Sequence, residues 1–239
     1  MIRGKDDSTT IVISVGGSLI YPDQKNGLSE QFLSNLNEFV RRRLGENPDL
    51  RLVLVAGGGA LARHFQEVVS RVLGHNLSND NKDWLGINAT RLNAQALRAI
   101  FEDVAEPRLI KHYEIILDTE KQVAIAAGWK PGWSTDYCAV RAARQYGAQS
   151  VINLSNIVQL CDKDPKKFPD AKPISSISWK KFRLMVGSVW IPGMNVPFDP
   201  IAAKEAERLK KTVVIMKGDN FANLDAYLDY KDFVGTVIS

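Results

Sequence analysis

Two kinds of apolar pattern alternate along this chain of 239 residues. Unbroken apolar runs are typical of buried strands, and apolar positions three and four residues apart are typical of helices that pack on one face. Strands are predicted at residues 10–15, 51–56, 115–117, 122–127, 150–154, 212–216 and 234–238. Helices are predicted at residues 28–44, 60–74, 82–101, 135–146, 178–186, 200–211 and 223–228. The alternation predicts an α/β fold, with a mainly parallel sheet covered by helices on both faces.

Three consecutive glycines, Gly57, Gly58 and Gly59, separate the second predicted strand from the helix that follows it. Glycine lets an anion approach the backbone N–H groups, and the start of a helix directs unpaired amides at the same place. Arg63, one turn into that helix, adds a bidentate donor. The pattern favours phosphate binding, although a tight strand-to-helix turn with a surface arginine has the same sequence.

Small or polar residues follow three further predicted strands. Gly16 and Gly17 follow the first strand, Gly128 follows the strand that ends at residue 127, and a fourth strand runs into a polar loop that ends at Asp164. Ligands of open α/β sheets bind at the carboxyl ends of the strands. The repetition therefore predicts a site for more than one phosphate.

Composition narrows the class of protein. No apolar run reaches the length of a membrane span and residues 1–9 are polar, so we expect a cytoplasmic protein with no membrane partner. The net charge is +4 with scattered lysines and arginines, and the run at residues 41–43 ends a predicted helix, where cations favour the helix dipole. These charges favour a small anionic substrate over a nucleic acid.

The cysteines and histidines do not predict a protein-held metal. Cys138 and Cys161 lack the spacing of metal ligands and predict free thiols. His64, His75 and His112 are isolated from one another and predict ordinary surface or core histidines.

Several short motifs follow one another in a defined order. They are GGS at residues 16–18, GGGxLAR at 57–63, DWLGINATRLNA at 83–94, PGxSTD at 131–136, DPKKxPDAK at 164–172 and DPIAAK at 199–204. Their order and spacing resemble the UMP kinases of the amino-acid-kinase family, particularly the archaeal-type branch, from residue 11 to residue 238.

The resemblance implies a fold, an activity and an assembly. The fold would be a three-layer αβα sandwich, one domain over residues 1–239, with an acceptor lobe at about 1–147 and an ATP lobe at about 148–239. The activity would be transfer of the γ-phosphate from Mg-ATP to UMP, which makes Mg²⁺ and ATP the cofactors and nucleotides the partners. The assembly would be a homohexamer. The predicted helix at 28–44 is our candidate contact element, unless its apolar face packs on the sheet of its own chain.

The resemblance also implies roles for matching positions. Gly57, Gly58 and Arg63 would hold the acceptor phosphate, Asp83 the ribose, and Gly128 with the loop containing Ser134 and Thr135 would close over uracil and phosphate. Gly16 and Gly17 would lie beside the moving phosphoryl group, Asp136 would organise the transfer centre, and Ser155, Asn156, Cys161 and Asp164 would belong to the ATP segment. Such roles suit phosphoryl transfer, which depends on positioning and charge neutralisation. Asp83 and Asp136 have a plainer alternative role, compensation of a helix dipole.

The chain departs from the family pattern at three places. Ser14 stands where many members have lysine. Val158 and Gln159 replace an Asp-Gly pair, and Cys161 replaces an aromatic that packs on adenine. The acceptor loop carries two indoles, those of Trp129 and Trp133. Three roles are open for them: stacking on a base, plugging the site, or packing against a neighbouring lobe.

These departures leave two other classes of function open. One is a kinase of another small acid or phosphate with the same architecture. The other is a non-catalytic relative that binds or stores an anion, as the molybdenum storage proteins do, and the loss of the Asp-Gly pair favours it.

Overall fold

The computed structural model describes residues 10–165, 167–187 and 196–239. Its strands are β1 Thr10–Val15, β2 Arg51–Ala56, β3 Val123–Ala126, β4 Ser150–Ser155, β5 Leu160–Cys161, β6 Pro173–Ile174, β7 Ser176–Ile177, β8 Thr212–Lys217 and β9 Thr236–Ile238. Its helices are α1 Gly17–Ile20, α2 Glu30–Glu46, α3 Gly59–Leu73, α4 Asn79–Ile100, α5 Thr135–Gln145, α6 Trp179–Val186, α7 Pro200–Arg208 and α8 Phe221–Leu228.

The central sheet has seven strands in the order β3-β2-β1-β4-β8-β9-β7. The five strands from β3 to β8 are parallel, β9 runs antiparallel to β8, and β7 runs parallel to β9. The predicted mainly parallel sheet is therefore confirmed. Parallel order places the carboxyl ends of β1, β2, β3 and β4 along one edge, where the glycine turns follow.

Side chains of each central strand alternate between two hydrophobic cores. Ile13 and Val15 of β1 point into one core with α2 and α4, whereas Val12 points into the other with α5 and α7. The same division recurs in β2, where Leu54 and Val55 belong to opposite cores. Helices thus cover both faces, and the three-layer αβα architecture is confirmed.

Capping residues fix where most of the helices begin. The hydroxyls of Ser29, Ser78 and Ser134 each accept a backbone N–H from the first turn of α2, α4 and α5. Because Ser78 caps α4, this helix begins at Asn79, three residues before the predicted start at residue 82.

The strand predicted at residues 115–117 is absent. Ile115 is 73 % exposed. The outer edge of β3 instead makes isolated parallel bridges to Ala105 and Ile110. The backbone N–H of Leu117 donates to the Tyr146 hydroxyl, so this short apolar run is held by a side chain outside the sheet.

Short elements that the pattern did not predict lie on the carboxyl side of β1 and β4. Helix α1 begins at the first glycine turn, and β5 pairs with β6 in a two-stranded antiparallel sheet, Cys161 opposite Pro173. The segment that departs from the family's ATP-binding pattern, around residues 158–161, thus contributes one arm of a two-stranded hairpin. Among the described residues only Lys210 and Tyr230 are non-glycines with positive φ, so Gln159 needs no left-handed backbone.

Helix α2 does not present an apolar face to a partner. Its apolar side chains are buried within the chain, and Phe32 and Phe39 pack against Phe221 of α8 with ring centroids 5.8 and 5.4 Å apart. The alternative, that its own chain consumes this face, is the one that the structure supports. The boundary between an acceptor lobe and an ATP lobe stays a prediction.

Candidate active site

A cleft of about 260 Å³ opens at the carboxyl ends of β2 and β3, between α3, α4 and the loop that precedes α5. It is lined by Gly58, Gly59, Ala62, Arg63, Gln66, Lys82, Asp83, Gly86, Ile87, Thr90, Gly128, Trp133, Ser134 and Thr135. Six of these are residues that the sequence predicts to bind the acceptor: Gly58, Arg63, Asp83, Gly128, Ser134 and Thr135. Segments far apart in the chain therefore meet in one cleft, and the roles of these residues stay predictions.

The two glycine turns pack backbone against backbone beside this cleft. A Cβ atom on Gly17 would lie 2.6 Å from the carbonyl carbon of Gly57 and would also collide with the Gly59 nitrogen. Gly59 has φ of +63°, a value that glycine adopts without strain. Glycine at both turns lets α1 and α3 begin side by side.

Two buried polar side chains of α4 hold the glycine turns in place. The amide of Asn93 donates to the Gly57 carbonyl at 2.8 Å, and the Thr90 hydroxyl accepts the N–H of Gly128 at 2.8 Å. Neither residue is among the predicted site residues, although both are polar residues on the apolar face of a helix. That mismatch is the signal that identifies them.

The cleft carries an excess of positive charge. Arg63 and Lys82 line it, and within the described residues neither side chain has an ion pair or a hydrogen bond. Asp83 is the acidic residue of the lining; burial raises its pKa, partly offset by the N–H of Gly132, which donates to it at 2.7 Å. An unpaired arginine beside backbone amides is suited to a dianionic phosphate.

Asp83 is therefore already engaged with the acceptor loop. One carboxylate oxygen holds Gly132, which leaves the other for a ligand. A role in ribose binding stays a prediction, and fixing the loop is a role that the structure adds.

Two aspartates, Asp136 partly buried and Asp199 buried, lie against each other at the start of α5 and α7. The backbone N–H of Asp199 donates to a carboxylate oxygen of Asp136 at 3.0 Å, and Ser134 donates its hydroxyl to the carboxylate of Asp199. Burial, together with the charge of Asp199, raises the pKa of Asp136 to about 7, and burial also raises the pKa of Asp199. Asp199 is not among the predicted site residues, and it directly precedes the helix predicted at residues 200–211.

These carboxylates lack a cation in the described part of the chain. No ion pair reaches Asp136 or Asp199 within residues 10–165, 167–187 and 196–239. Ser14, at the position of the missing lysine, is buried in β1 and supplies no charge. Carboxylates that lack a counter-charge in a buried site suit a hard divalent cation.

The predicted ATP residues lie along a different part of the same sheet edge. Ser155 ends β4, its hydroxyl accepts the Ile157 N–H at 3.4 Å, and its carbonyl accepts from Gly218 at 2.8 Å. Asn156 follows it, Cys161 lies in β5, and the Asp164 carbonyl accepts from the loop that leads to β6. None of these residues lines the acceptor cleft.

Gly16 connects the two parts of the edge. Its N–H donates to the Leu154 carbonyl on β4 at 2.9 Å, while the next residue, Gly17, packs on the glycine turn of β2. The first glycine loop therefore lies between this cleft and the β4 end of the sheet.

The two indoles of the acceptor loop have different surroundings. Trp129 packs against Tyr113 and His112, with centroids 6.2 and 6.0 Å apart, and its carbonyl accepts from Arg91. Trp133 lines the cleft. Trp133 also packs within the chain, with its ring centroid 4.6 Å from that of Trp129 and 6.3 Å from that of Tyr113. Packing therefore describes both indoles, and Trp133 in addition borders the cleft.

Comparisons with known proteins agree with this architecture. The model of the amino acid kinase family matches residues 9–217. The chain is similar to uridylate kinases of Methanospirillum hungatei, 30 % identical over 96 % of this chain and 94 % of that one, and of Staphylothermus marinus, 32 % identical over 87 % and 89 %. The crystal structure of uridylate kinase from Archaeoglobus fulgidus superposes with a TM-score of 0.76 at 27 % identity, covering 96 % of this chain and 99 % of that one.

Within the described residues, no helix is both long enough and apolar enough to cross a lipid bilayer.

Proposed function

The chain belongs to the amino acid kinase family and is a phosphotransferase, and from this premise we propose that it transfers the γ-phosphate of ATP to UMP to give UDP. The relatives named uridylate kinase cover most of the chain, which supports UMP as the acceptor. The donor would be the Mg²⁺ complex of ATP.

One observation carries the acceptor part of this proposal: the unpaired Arg63 lies in one cleft with the Gly58–Gly59 turn. A nucleoside monophosphate presents a dianionic phosphate, and a planar guanidinium with converging N–H groups binds two of its oxygens. Lys82 adds a second positive charge to the same lining. The amides, the guanidinium and the ammonium together offset the charge that a second phosphate brings close.

The donor would bind beside β4 and β8, on the other side of Gly16 and Gly17. Ser155, Asn156, Cys161 and Asp164 are the proposed ATP residues because they follow β4 at the carboxyl edge of the sheet. The glycine loop between the two nucleotides would let the γ-phosphoryl group approach the acceptor without obstruction from side chains. In-line placement of this kind supplies much of the rate in phosphoryl transfer.

Asp136 and Asp199 fit the Mg²⁺ that accompanies ATP. Their carboxylate oxygens are the ligands that Mg²⁺ accepts, directly or through water, and no cation offsets them in the described residues. When bound, the ion would neutralise phosphate charge. Asp136 would orient the donor complex, and Ser134, by donating to Asp199, would keep that carboxylate fixed.

We expect the purified protein with Mg²⁺ and ATP to form ADP faster with UMP than with CMP, AMP or GMP, as followed in a coupled assay. Arg63→Ala should raise the KM for UMP about 10- to 100-fold, because a charge-assisted hydrogen bond contributes about 1.5–3 kcal/mol. The KM for ATP should stay within about twofold, since Arg63 lines only the acceptor cleft.

Arg71→Ala is the matched control, because Arg71 lies on the same helix α3 but outside the cleft. It should leave both KM values unchanged. Turnover of a different acceptor without UMP would reject UMP and favour a kinase of another small acid or phosphate. No turnover with any acceptor would favour the anion-binding class.

We also propose that the protein is a homo-oligomer, with six chains as in the assembly that the family resemblance implies. Apolar side chains remain exposed on the packed pair α3 and α4, in contrast to α2: Phe65 50 %, Val72 81 %, Leu73 47 % and Leu92 61 %. We assign this surface to a second copy of the chain.

Light scattering at micromolar concentration should give a mass of about six chains, and Val72→Glu should lower it because a charge cannot be buried unpaired at an interface. Leu184→Glu is the control, since Leu184 is equally exposed, at 80 %, on α6. A monomeric wild type, or a Val72→Glu variant that keeps the wild-type mass, would contradict the assignment.

A further inference from the structure

We infer that Trp133 is the residue that receives the base of the acceptor nucleotide and selects a pyrimidine over a purine; this rests on the proposed UMP kinase activity. Trp133 stands between Gly132 and Ser134 in the segment that precedes α5.

The position of Trp133 within the cleft supports this role. The lining has a cationic region, formed by Arg63 and Lys82 with the glycine turn, and a single aromatic side chain, that of Trp133. A nucleoside monophosphate has the same division, a phosphate that needs cations and a flat base that needs an apolar surface. An aromatic wall is the usual partner of such a base.

The loop that carries Trp133 is held on both sides. The N–H of Gly132 donates to Asp83 at 2.7 Å, and the hydroxyl of Ser134 donates to Asp199. The N–H of Trp133 itself donates to the Lys130 carbonyl at 3.2 Å. The indole is therefore presented by a fixed backbone, which reduces the entropy lost when a ligand binds.

Neighbouring side chains also fix the orientation of the ring. Trp129 and Tyr137 lie nearly perpendicular to it, at 85° and 72°, with centroids 4.6 and 4.3 Å away. Arg141 lies 5.6 Å from the centroid. Such edge-to-face packing is specific in geometry, so Trp133 acts as a rigid wall of the cleft.

The size of the cleft points to the smaller class of base. Its volume of about 260 Å³ is below the usual range for sites that bind small molecules, roughly 300–1,000 Å³. A purine needs one more ring than a pyrimidine, and we expect a cleft of this size, with the indole in its lining, to admit the smaller base more readily. Removal of the indole should therefore weaken pyrimidine binding and relax the exclusion of purines.

The test compares UMP with ribose 5-phosphate, which lacks the base, by calorimetry on wild type, Trp133→Ala and Trp133→Phe. In wild type UMP should bind about 5- to 100-fold more tightly than ribose 5-phosphate. Trp133→Ala should reduce this advantage to less than about threefold, leave the affinity for ribose 5-phosphate unchanged, and raise AMP use relative to UMP. Trp133→Phe should retain most of the advantage.

Tryptophan fluorescence gives a second readout that does not require turnover. UMP should change the emission of wild type and of the control Trp179→Phe, but not that of Trp133→Phe. Trp179 is the first residue of α6, and its indole is buried in the core. An unchanged UMP advantage and unchanged base selectivity in Trp133→Ala would overturn the inference, as would equal weakening of UMP and ribose 5-phosphate.

The outcomes separate this inference from the proposed function. If UMP binds through its base in wild type and Trp133→Ala removes that contribution, the inference stands even when no ADP forms. If UMP is turned over normally and Trp133→Ala behaves like wild type, the kinase activity stands and the role of Trp133 is rejected.

Discussion

Asp136→Asn is expected to lower kcat by at least about 100-fold while the protein remains folded, the size of effect that a preorganised charge contributes at a transferring group. Asparagine keeps an oxygen that accepts the N–H of Asp199, so the local geometry is retained and only the charge is lost. The measurement is ADP formation with saturating UMP and Mg-ATP, with circular dichroism to verify folding.

Asp80→Asn is the matched control, because Asp80 is an exposed acid in the first turn of α4, where its charge compensates the helix dipole. It should leave kcat unchanged. Equal, small effects of the two substitutions would return Asp136 to the dipole role and contradict its place in the transfer centre.

The same variant should be more stable than wild type above neutral pH. Because the pKa of Asp136 is raised from 3.8 to about 7, the folded protein retains a proton over this interval that the unfolded chain has lost. The contribution of this group to stability is therefore present below the unfolded pKa and lost as the pH rises through about 7. At pH 8 wild type carries a buried charge that the variant lacks, worth at most about 4 kcal/mol.

The pH dependence of activity should have the opposite sign. The charged form is the one suited to Mg²⁺ and ATP, so kcat/KM for ATP should fall as the pH drops through about 7. A flat profile from pH 6 to pH 8 with unchanged stability in Asp136→Asn would show that neither charge state matters.

Gly17→Ala is expected to abolish turnover and to lower the free energy of unfolding by at least about 2 kcal/mol, since overpacking against rigid neighbours is costly. The added Cβ would lie 2.6 Å from both the Gly57 carbonyl carbon and the Gly58 nitrogen. These are backbone atoms, which cannot rotate away as a side chain would. Urea unfolding and the ADP assay measure the two effects.

Gly45→Ala provides the control for adding one methyl group. Nothing lies within 4 Å of its Cβ position, and Gly45 is inside α2, where alanine is favoured over glycine by up to about 1 kcal/mol. This variant should be fully active and equally or more stable. Wild-type activity in Gly17→Ala would show that the two glycine turns separate easily and do not define the transfer site.

The sequence predicted the elements whose formation depends on local information. Buried parallel strands such as β1 and β2 consist mostly of valine, isoleucine and leucine, and α2 has both a serine cap and a full apolar face. Ligands of open α/β sheets bind at the carboxyl ends of the strands, and this rule predicts that Arg63 and Gly128 lie near one site. Both residues line the same cleft, although they are far apart in the chain.

Predictions failed where a segment had too little local information. The run at residues 115–117 is three residues long, and the edge of β3 that it might have paired with is bridged by Ala105 and Ile110 instead. The hairpin of β5 and β6 has two residues in each arm, so its pairing gives no period that a sequence can display.

The sequence by itself determined the order of the elements along the chain, in which a strand, a glycine turn and a helix follow one another repeatedly. It also placed Arg63 and Asp136 each within about the first turn of a helix. It could not distinguish Trp129 from Trp133, or reveal that Asp199 lies against Asp136, because both facts depend on contacts between distant segments. Only the tertiary structure decided them, by placing Trp133 but not Trp129 in the lining of the cleft, although both pack on Tyr113, and by beginning α5 and α7 side by side.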